Sequence, residues 1–193
     1  MNTEFNYYRV HSINDDNIPM LMEDDDCPRY LYEDNLIKDP GPMNLKLRKP
    51  VPKKINMADY LTLPHPVVSK KISDALASLN IEGLQLLPSV IRGNGKEIHE
   101  YVTLHIPHRI KCVDSELSEC VIEDYNIENV VRLVLDKKLL KTIPLEKRLV
   151  FRLKEDCSYE LFHESVVQTI MSVNPTGIRF TDIEKWNEGS LFD

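Results

Sequence analysis

The chain has 193 residues, of which 42% are hydrophobic and 28% are charged, and its formal net charge is −7. This length suits one domain with an adequate core, and the composition is ordinary for a soluble globular protein. No apolar run approaches the roughly 20 residues that cross a bilayer, so we expect no membrane partner. The N-terminal residues MNTEFNYYRVHS lack a basic region followed by an apolar one, so we expect no secretory signal and a cytoplasmic location.

The first 57 residues differ from the rest in composition. Residues 14–40 hold nine acids against Arg29 and Lys38, which accounts for the whole net charge, and the basic stretch KLRKPVPKK follows at 46–54. Short apolar pieces alternate there with acidic and proline-rich breaks. We therefore predict an irregular N-terminal segment, residues 1–57, that contributes strands to or wraps a domain formed by residues 58–193.

Regular structure is expected to begin near residue 59. Pro66 suits the first position of a helix, and Val68, Ile72, Leu76 and Leu79 follow at helical spacing. Asn80 and Gly83 are stop signals, and Leu84–Ile91 reads as a strand. Asn94-Gly95 tolerates the positive φ angles of a tight hairpin, which predicts a turn into the next strand.

That next strand, residues 98–112, alternates most clearly and is interrupted at Pro107. Its apolar face carries Ile98, Val102, Leu104, Ile106, Ile110 and Cys112. The opposite face, which we expect to be exposed or covered by the N-terminal segment, carries His99, Tyr101, Thr103, His105, Arg109 and Lys111.

The C-terminal half repeats this alternation of strands and helices. Strands are predicted at 121–123, 127–135, 149–154 and 178–183, with a short helix or turn at 136–143. A second helix follows the stripe formed by Phe162, Val166, Ile170 and Val173. Hairpin-connected strands with two principal helices indicate an α+β fold with a mainly antiparallel sheet.

Two stretches 94 residues apart share one pattern. VVSKKISDALASLNIEGLQL (67–86) and LFHESVVQTIMSVNPTGIRF (161–180) each run through a helix, end on Ser-x-Asn-x-x-Gly and continue into a strand. These are two similar ways of ending a core helix and starting a strand, and they need not reflect duplication.

No catalytic constellation is evident. The Gly-x-Gly-Lys at 93–96 lies between strands and opens no helix, so a phosphate loop is not indicated. None of the four cysteines lies at C-x-x-C spacing, and His105 and His108 point to opposite faces of a regular strand unless Pro107 breaks the alternation. We predict no cofactor, no metal and no enzyme, with a hydrolase using the His105/His108 region as the alternative.

Nucleic-acid binding is also not predicted. The basic stretch 46–54 is short, lacks interleaved aromatics and stands beside an acidic run in a chain of pI about 5.4. A cluster of carboxylates can instead cover a basic cleft on another protein and accelerate its association.

Three stretches resemble the Myxococcus-type immunity protein family of bacterial polymorphic toxin systems, formerly a domain of unknown function. They are PVVSKKISDALASLNIEGLQLLPSVI from Pro66, EYVTLHIPHRIKCVDSELSE (100–119) and LFHESVVQTIMSVNPTGIRFTDI (161–183). The resemblance covers roughly residues 60–185 and transfers no catalytic residue.

The resemblance implies an antitoxin for bacterial competition, which binds a cognate toxin encoded by a neighbouring gene. The first candidate contact is the acidic loop 15–34, with Asp15, Asp16, Glu23, Asp24, Asp25 and Asp26. The second is the polar strand face with Tyr101, His105 and Arg109, and Trp186 is a candidate aromatic anchor or a cap on the core edge. A scaffold or assembly module that uses the same surfaces is a further alternative.

Overall fold

A computed structural model describes residues 4–30 and 34–191 and confirms the α+β class. The helices are α1 (Lys70–Ala77), α2 (Lys137–Lys141) and α3 (Glu164–Ser172). The strands are β1 (Tyr7–Ser12), β2 (Leu21–Glu23), β3 (Met43–Leu47), β4 (Tyr60–Leu61), β5 (Val67–Ser69), β6 (Gln85–Gly93), β7 (Lys96–His105), β8 (Arg109–Ile110), β9 (Glu119–Glu123), β10 (Asn126–Arg132), β11 (Val150–Leu153), β12 (Glu160–His163) and β13 (Ile178–Asp182). In the part of the chain described, no helix is long and apolar enough to cross a membrane.

Two mixed sheets and a hairpin make up the architecture. The first sheet has the order β2-β3-β6-β7-β5-β4, and the second has the order β13-β1-β12-β11-β8. Strands β9 and β10 pair only with each other among the described strands. Most pairs are antiparallel, and the exceptions are β3 with β6 and β8 with β11.

The main core is shared by both sheets and both long helices. Ile72 and Leu76 of α1 pack with Val166 and Ile170 of α3, together with apolar residues of β1, β7 and β12. Each sheet also buries its other face. The N-terminal segment covers the first sheet, while β10, α2 and the C-terminal residues cover the second.

The predicted helices exist but start later than the apolar spacing suggests. Residues 67–69 form strand β5, and α1 begins at Lys70; likewise Phe162 lies in β12, and α3 begins at Glu164. Placing Pro66 and Phe162 inside helices was therefore wrong. Each strand runs directly into its helix, so the apolar residues of the strand continue the spacing of the apolar residues on the buried face of the helix.

The expectation that regular structure begins near residue 59 was also wrong. Strand β1 lies between β12 and β13, and β3 lies beside β6, so the N-terminal segment contributes to both sheets. The fully buried Arg148 holds the beginning of the N-terminal segment in place. It donates to the Tyr7 hydroxyl at 2.6 Å and to the Glu4 carbonyl oxygen at 2.8 Å. The predicted hairpin at Asn94-Gly95 is confirmed, with φ angles of 51° and 72°.

The repeated sequence pattern corresponds to a repeated structure. In the first sheet, β7 lies between the parallel strands β5 and β6; in the second, β1 lies between β12 and β13. The registers match at a constant offset of 94 residues. Ser69 opposes Tyr101 as His163 opposes Tyr7, and Gln85 opposes His105 as Arg179 opposes His11.

The central strands follow the same offset. Residues 7–11 read YYRVH and residues 101–105 read YVTLH. The chain therefore consists of two tandem repeats that exchange their first strands. Strand β1, from the first repeat, completes the sheet of the second repeat, and β7 completes the sheet of the first.

Candidate functional site

The first predicted contact, the acidic run at residues 23–26, is largely paired within the molecule. Asp24 accepts from the Lys46 ammonium and the Arg92 guanidinium, both at 3.0 Å. Lys46 also reaches Asp25, and Arg92 reaches Asp26. Hydrogen bonds from Lys46, then Arg92, lower the pKa of Asp24 to about 2. This run holds β2 against β3 and β6, and Asp25 and Asp26 remain exposed.

The other acids of the predicted loop are placed as follows. Glu23 accepts from His65 Nε2 at 2.8 Å, and Asp15 accepts from the backbone N–H and side chain of Asn17. Asp16 is exposed. Glu33 lies outside the described residues.

Of the two alternatives for the polar face of β7, exposure or cover by the N-terminal segment, the second applies to its central part. Tyr101, Thr103 and His105 are buried, because the N-terminal segment covers this face. The Tyr101 hydroxyl donates to the carbonyl oxygen of Ala58 at 3.0 Å, and His105 Nε2 donates to that of Asn35 at 2.9 Å. Neither side chain is available to a partner in this conformation, whereas His99 is exposed.

Two further candidates also make internal contacts. Arg109 is partly exposed and forms an ion pair with Asp34. Trp186 is buried, packs edge-to-face on Tyr159 at 5.1 Å between ring centroids, and stacks with the Arg9 guanidinium. Trp186 therefore contributes to the core edge, the second of the two roles weighed for it.

The structure identifies an exposed surface that the sequence reasoning missed, the β9–β10 hairpin with its leading turn. It carries six acids and no basic residue from 112 to 131: Asp114, Glu116, Glu119, Glu123, Asp124 and Glu128. Among the described residues, these six acids form a single ion pair, between Glu119 and Arg132 at 3.5 Å. The hairpin therefore projects negative charge that the molecule does not neutralise.

Apolar side chains are exposed among these acids. They are Leu117, Val121, Ile122, Tyr125 and Val131, and the two most exposed are Tyr125 at 76% and Val131 at 68%. The inner face, with Ile127 and Val130, packs on the core beside Trp186. One face thus anchors the hairpin, while the other presents charge together with apolar surface.

The hairpin tip is held in an uncommon backbone conformation. The two-residue turn places Asp124 at φ 42° and Tyr125 at φ 69°. Both angles lie in the left-handed region, which an aromatic residue adopts at a cost. Such a cost at an exposed tip is a feature often associated with function.

A second feature is an open cleft of about 820 Å³ at the ends of β1 and β4. Its polar lining includes Arg9, His11, Arg152 and Glu160, and Arg152 donates to Glu160 at 2.9 Å. Burial raises the pKa of Glu160, while burial and the charges of Arg9 and Arg179 lower the pKa of His11 to about 4. Ile13, Met20 and Leu63 form an exposed apolar rim.

The two histidines of the hydrolase alternative have different surroundings. His105 is buried against Asn35, while His108 lies in a smaller crevice beside Gly83. Across residues 4–30 and 34–191, no group of three or more His, Cys, Asp or Glu side chains could hold a metal ion. The four cysteines are free thiols, and burial raises the pKa of Cys112.

Comparison with known proteins gives one family. The family model described as the immunity protein family Imm11 matches residues 24–185, which is most of the chain. The chain belongs to the Imm11 immunity protein family. The match confirms the resemblance and extends it into the N-terminal segment, where β3 joins the first sheet. A search among curated proteins gives no match.

Proposed function

We propose that this chain acts in the bacterial cytoplasm as a non-enzymatic immunity protein, which binds a cognate secreted toxin encoded by a neighbouring gene and blocks its active or substrate site. Membership of the Imm11 family over residues 24–185 carries the proposal. A toxin whose substrate site is basic would be complementary to the unpaired carboxylates of this chain.

We assign the main contact to the outer face and tip of the β9–β10 hairpin. Its acids are exposed and largely unpaired, whereas those at 23–26 are engaged with Lys46, Arg92 and His65. Tyr125 and Val131 supply apolar area that a partner would desolvate. Asp16, Asp25 and Asp26 are exposed enough to contribute to steering.

The function is tested by co-expression with the neighbouring gene product. That product alone should arrest growth, and this chain should restore growth and copurify with it. A neighbouring product that is harmless, or toxicity that persists with this chain present, would contradict the proposal.

The contact surface is tested by two charge variants of equal size. E123Q/D124N/E128Q should slow association at low ionic strength by about tenfold and reduce its dependence on salt. D24S/D25S/D26S is the matched comparison; it should affect association less and stability more, because it leaves Lys46 and Arg92 without their partners. A larger association defect in the second variant would move the contact to the acidic loop.

A further inference from the structure

The open cleft has a counterpart at the corresponding end of the first sheet. Residues 13–15 line the cleft, and residues 107–109, which follow them by 94, line a smaller crevice of about 470 Å³. The strands that lead into the two sites, β1 and β7, pair with their neighbours in the same register. The two sites are therefore equivalent positions of the two repeats.

A segment of the chain itself, residues 34–37, lies against this end of the first sheet, and its first three residues form one wall of the smaller crevice. The Asn35 carbonyl oxygen accepts from His105 Nε2 at 2.9 Å. The Ile37 N–H donates to the Gln85 side chain at 2.9 Å, and its carbonyl oxygen accepts from the same side chain at 2.8 Å. Asp34 adds a carboxylate to Arg109. This segment, which begins with Asp34, thus satisfies polar side chains at this end of the sheet.

Of the equivalent side chains in the second sheet, Arg179 donates through Nη2 to the Ser190 carbonyl oxygen, whereas Nε2 of His11 lacks such an acceptor among the described residues. His11 and Arg179 oppose each other as His105 and Gln85 do. Within the part of the chain that is described, Nε2 of His11 and Nε of Arg179 are buried and have no hydrogen-bond partner. His11 is only 7% exposed, so a ring nitrogen without a hydrogen-bond partner there is costly.

The charges lining the cleft also favour an acidic occupant. Arg152 pairs with Glu160, and Asp15 is held by Asn17 and Asn56. Arg9 stacks on the rings of Tyr159 and Trp186 and has no carboxylate within 4 Å among the described residues. The Arg9 guanidinium, attracted by Asp156 and Glu160 but without an ion pair to either, lies near His11. Ile13, Met20 and Leu63 line the same cleft.

We propose that the open cleft binds an acidic peptide segment of a partner protein, as residues 34–37 of the chain itself lie against the equivalent end of the other sheet. Its backbone carbonyl oxygen would accept from His11, and its carboxylate would lie beside Arg9. An apolar side chain of the segment would pack on the rim. This proposal goes beyond the toxin contact and does not depend on the hairpin.

The chain supplies its own probe, a capped synthetic peptide with the sequence DNLIKD of residues 34–39. Titrated into the full-length protein and followed by NMR, it should shift the resonances of His11, Thr62 and Leu63. A peptide whose first Asp is replaced by Asn should bind at least fivefold more weakly, because it lacks the carboxylate.

Two variants distinguish peptide binding at the cleft from binding at other surfaces. Arg9→Gln should weaken peptide binding at least fivefold, and Met20→Ser, at the exposed rim, should weaken it without a risk to folding. Met171→Ser is the matched control, since Met171 is similarly exposed on α3 but does not line the cleft. Thermal unfolding of each variant verifies that it is folded.

Three results would overturn the proposal. One is the absence of shifts at millimolar peptide. Another is a set of shifts centred on His105 and Arg109, which would mean displacement of the chain's own segment. The third is an equal response to acetate, which would show that the cleft takes small anions and does not recognise a peptide.

Discussion

At the scale of single residues, Gly177 shows how closely the two repeats approach each other. It ends the connection from α3 to β13 at φ 74°, and a Cβ built there would lie 2.2 Å from the Cβ of the buried Ala58. Any side chain at this position meets both a backbone cost and a clash with Ala58 of the first repeat.

Gly177→Ala should therefore lower the free energy of unfolding by about 3 kcal/mol, the sum of left-handed strain and overpacking. Gly95→Ala is the matched control, because its φ is 72° and a Cβ there meets nothing within 4 Å. We expect about 1 kcal/mol for the control, from strain alone. Equal losses in chemical denaturation would show that the contact with Ala58 is not the cause.

His11 gives the stability a dependence on pH. Because the pKa of His11 is about 4 in the folded chain and near 6.5 when unfolded, the unfolded state binds the extra proton between these values. The free energy of unfolding should thus fall by about 2 kcal/mol as the pH drops from 6.5 to 4. Asp24 and Asp59, with pKa values of about 2, lose their contributions only at lower pH.

His11→Gln should flatten this part of the pH profile, as measured by denaturant unfolding at several pH values. The control is His99→Gln, since His99 is exposed on the surface of β7. It should keep the wild-type slope between pH 4 and 6.5. A wild-type slope in the His11 variant would assign the dependence to another group.

At the scale of elements, the sequence predicted most strands and both long helices, but it misplaced two junctions. Val67 to Ser69 and Glu160 to His163 are strands that run into helices without a break. Val68 and Phe162 lie four residues before Ile72 and Val166, so apolar spacing alone cannot separate strand from helix. The β-branched Val67-Val68 pair was the available signal for a strand.

The exposure of β7 could not be read from alternation. Tyr101, Thr103 and His105 are polar, but each is satisfied by a partner distant in sequence: the carbonyl oxygen of Ala58, the Ser89 hydroxyl and the carbonyl oxygen of Asn35. A polar strand face covered by another segment has the same pattern as a solvated one. The ion pairs of the acidic run with Arg92 could not be predicted either, because Arg92 lies 66 or more residues away in the sequence.

The β9–β10 hairpin allows stability and binding to be separated. Tyr125→Gly should raise the free energy of unfolding by about 0.5 kcal/mol or more, because glycine adopts the positive φ of the turn without strain. The same change removes the most exposed aromatic of the proposed contact, so toxin binding should weaken. Tyr125→Phe should keep both properties near wild type. A stabilised Gly variant with full affinity would exclude the tip from the contact.

At the scale of the whole molecule, the two repeats explain where the charge lies. The acidic residues 114–128 of the second repeat correspond, at the 94-residue offset, to positions 20–34 of the first. In the first repeat Lys46 and Arg92 neutralise part of this charge, because β3 and β6 lie beside it. The second sheet ends at β13 and has no equivalent of β3 among the described strands, so the acids of 114–128 keep, among the described residues, the single ion pair of Glu119 with Arg132.

Strand exchange makes the N-terminal segment inseparable from the rest. Without β1, the strands β12 and β13 would lose the strand that joins them, and Arg148 would lose its contacts with Glu4 and Tyr7. Residues 58–193 expressed alone should therefore fail to unfold cooperatively, because tolerance to truncation follows from the pairing and burial of what is removed. Circular dichroism during thermal unfolding measures this.

A cut made after folding is the matched control. Lys53 and Lys54 are exposed and lie between β3 and β4, so cleavage there removes no strand from either sheet. The two fragments should stay associated through gel filtration and unfold in one transition, since β1 and β3 remain paired within opposite sheets. Separation of the fragments under native conditions, or a cooperative fold of residues 58–193 alone, would contradict the exchange of strands as the interaction that joins the repeats.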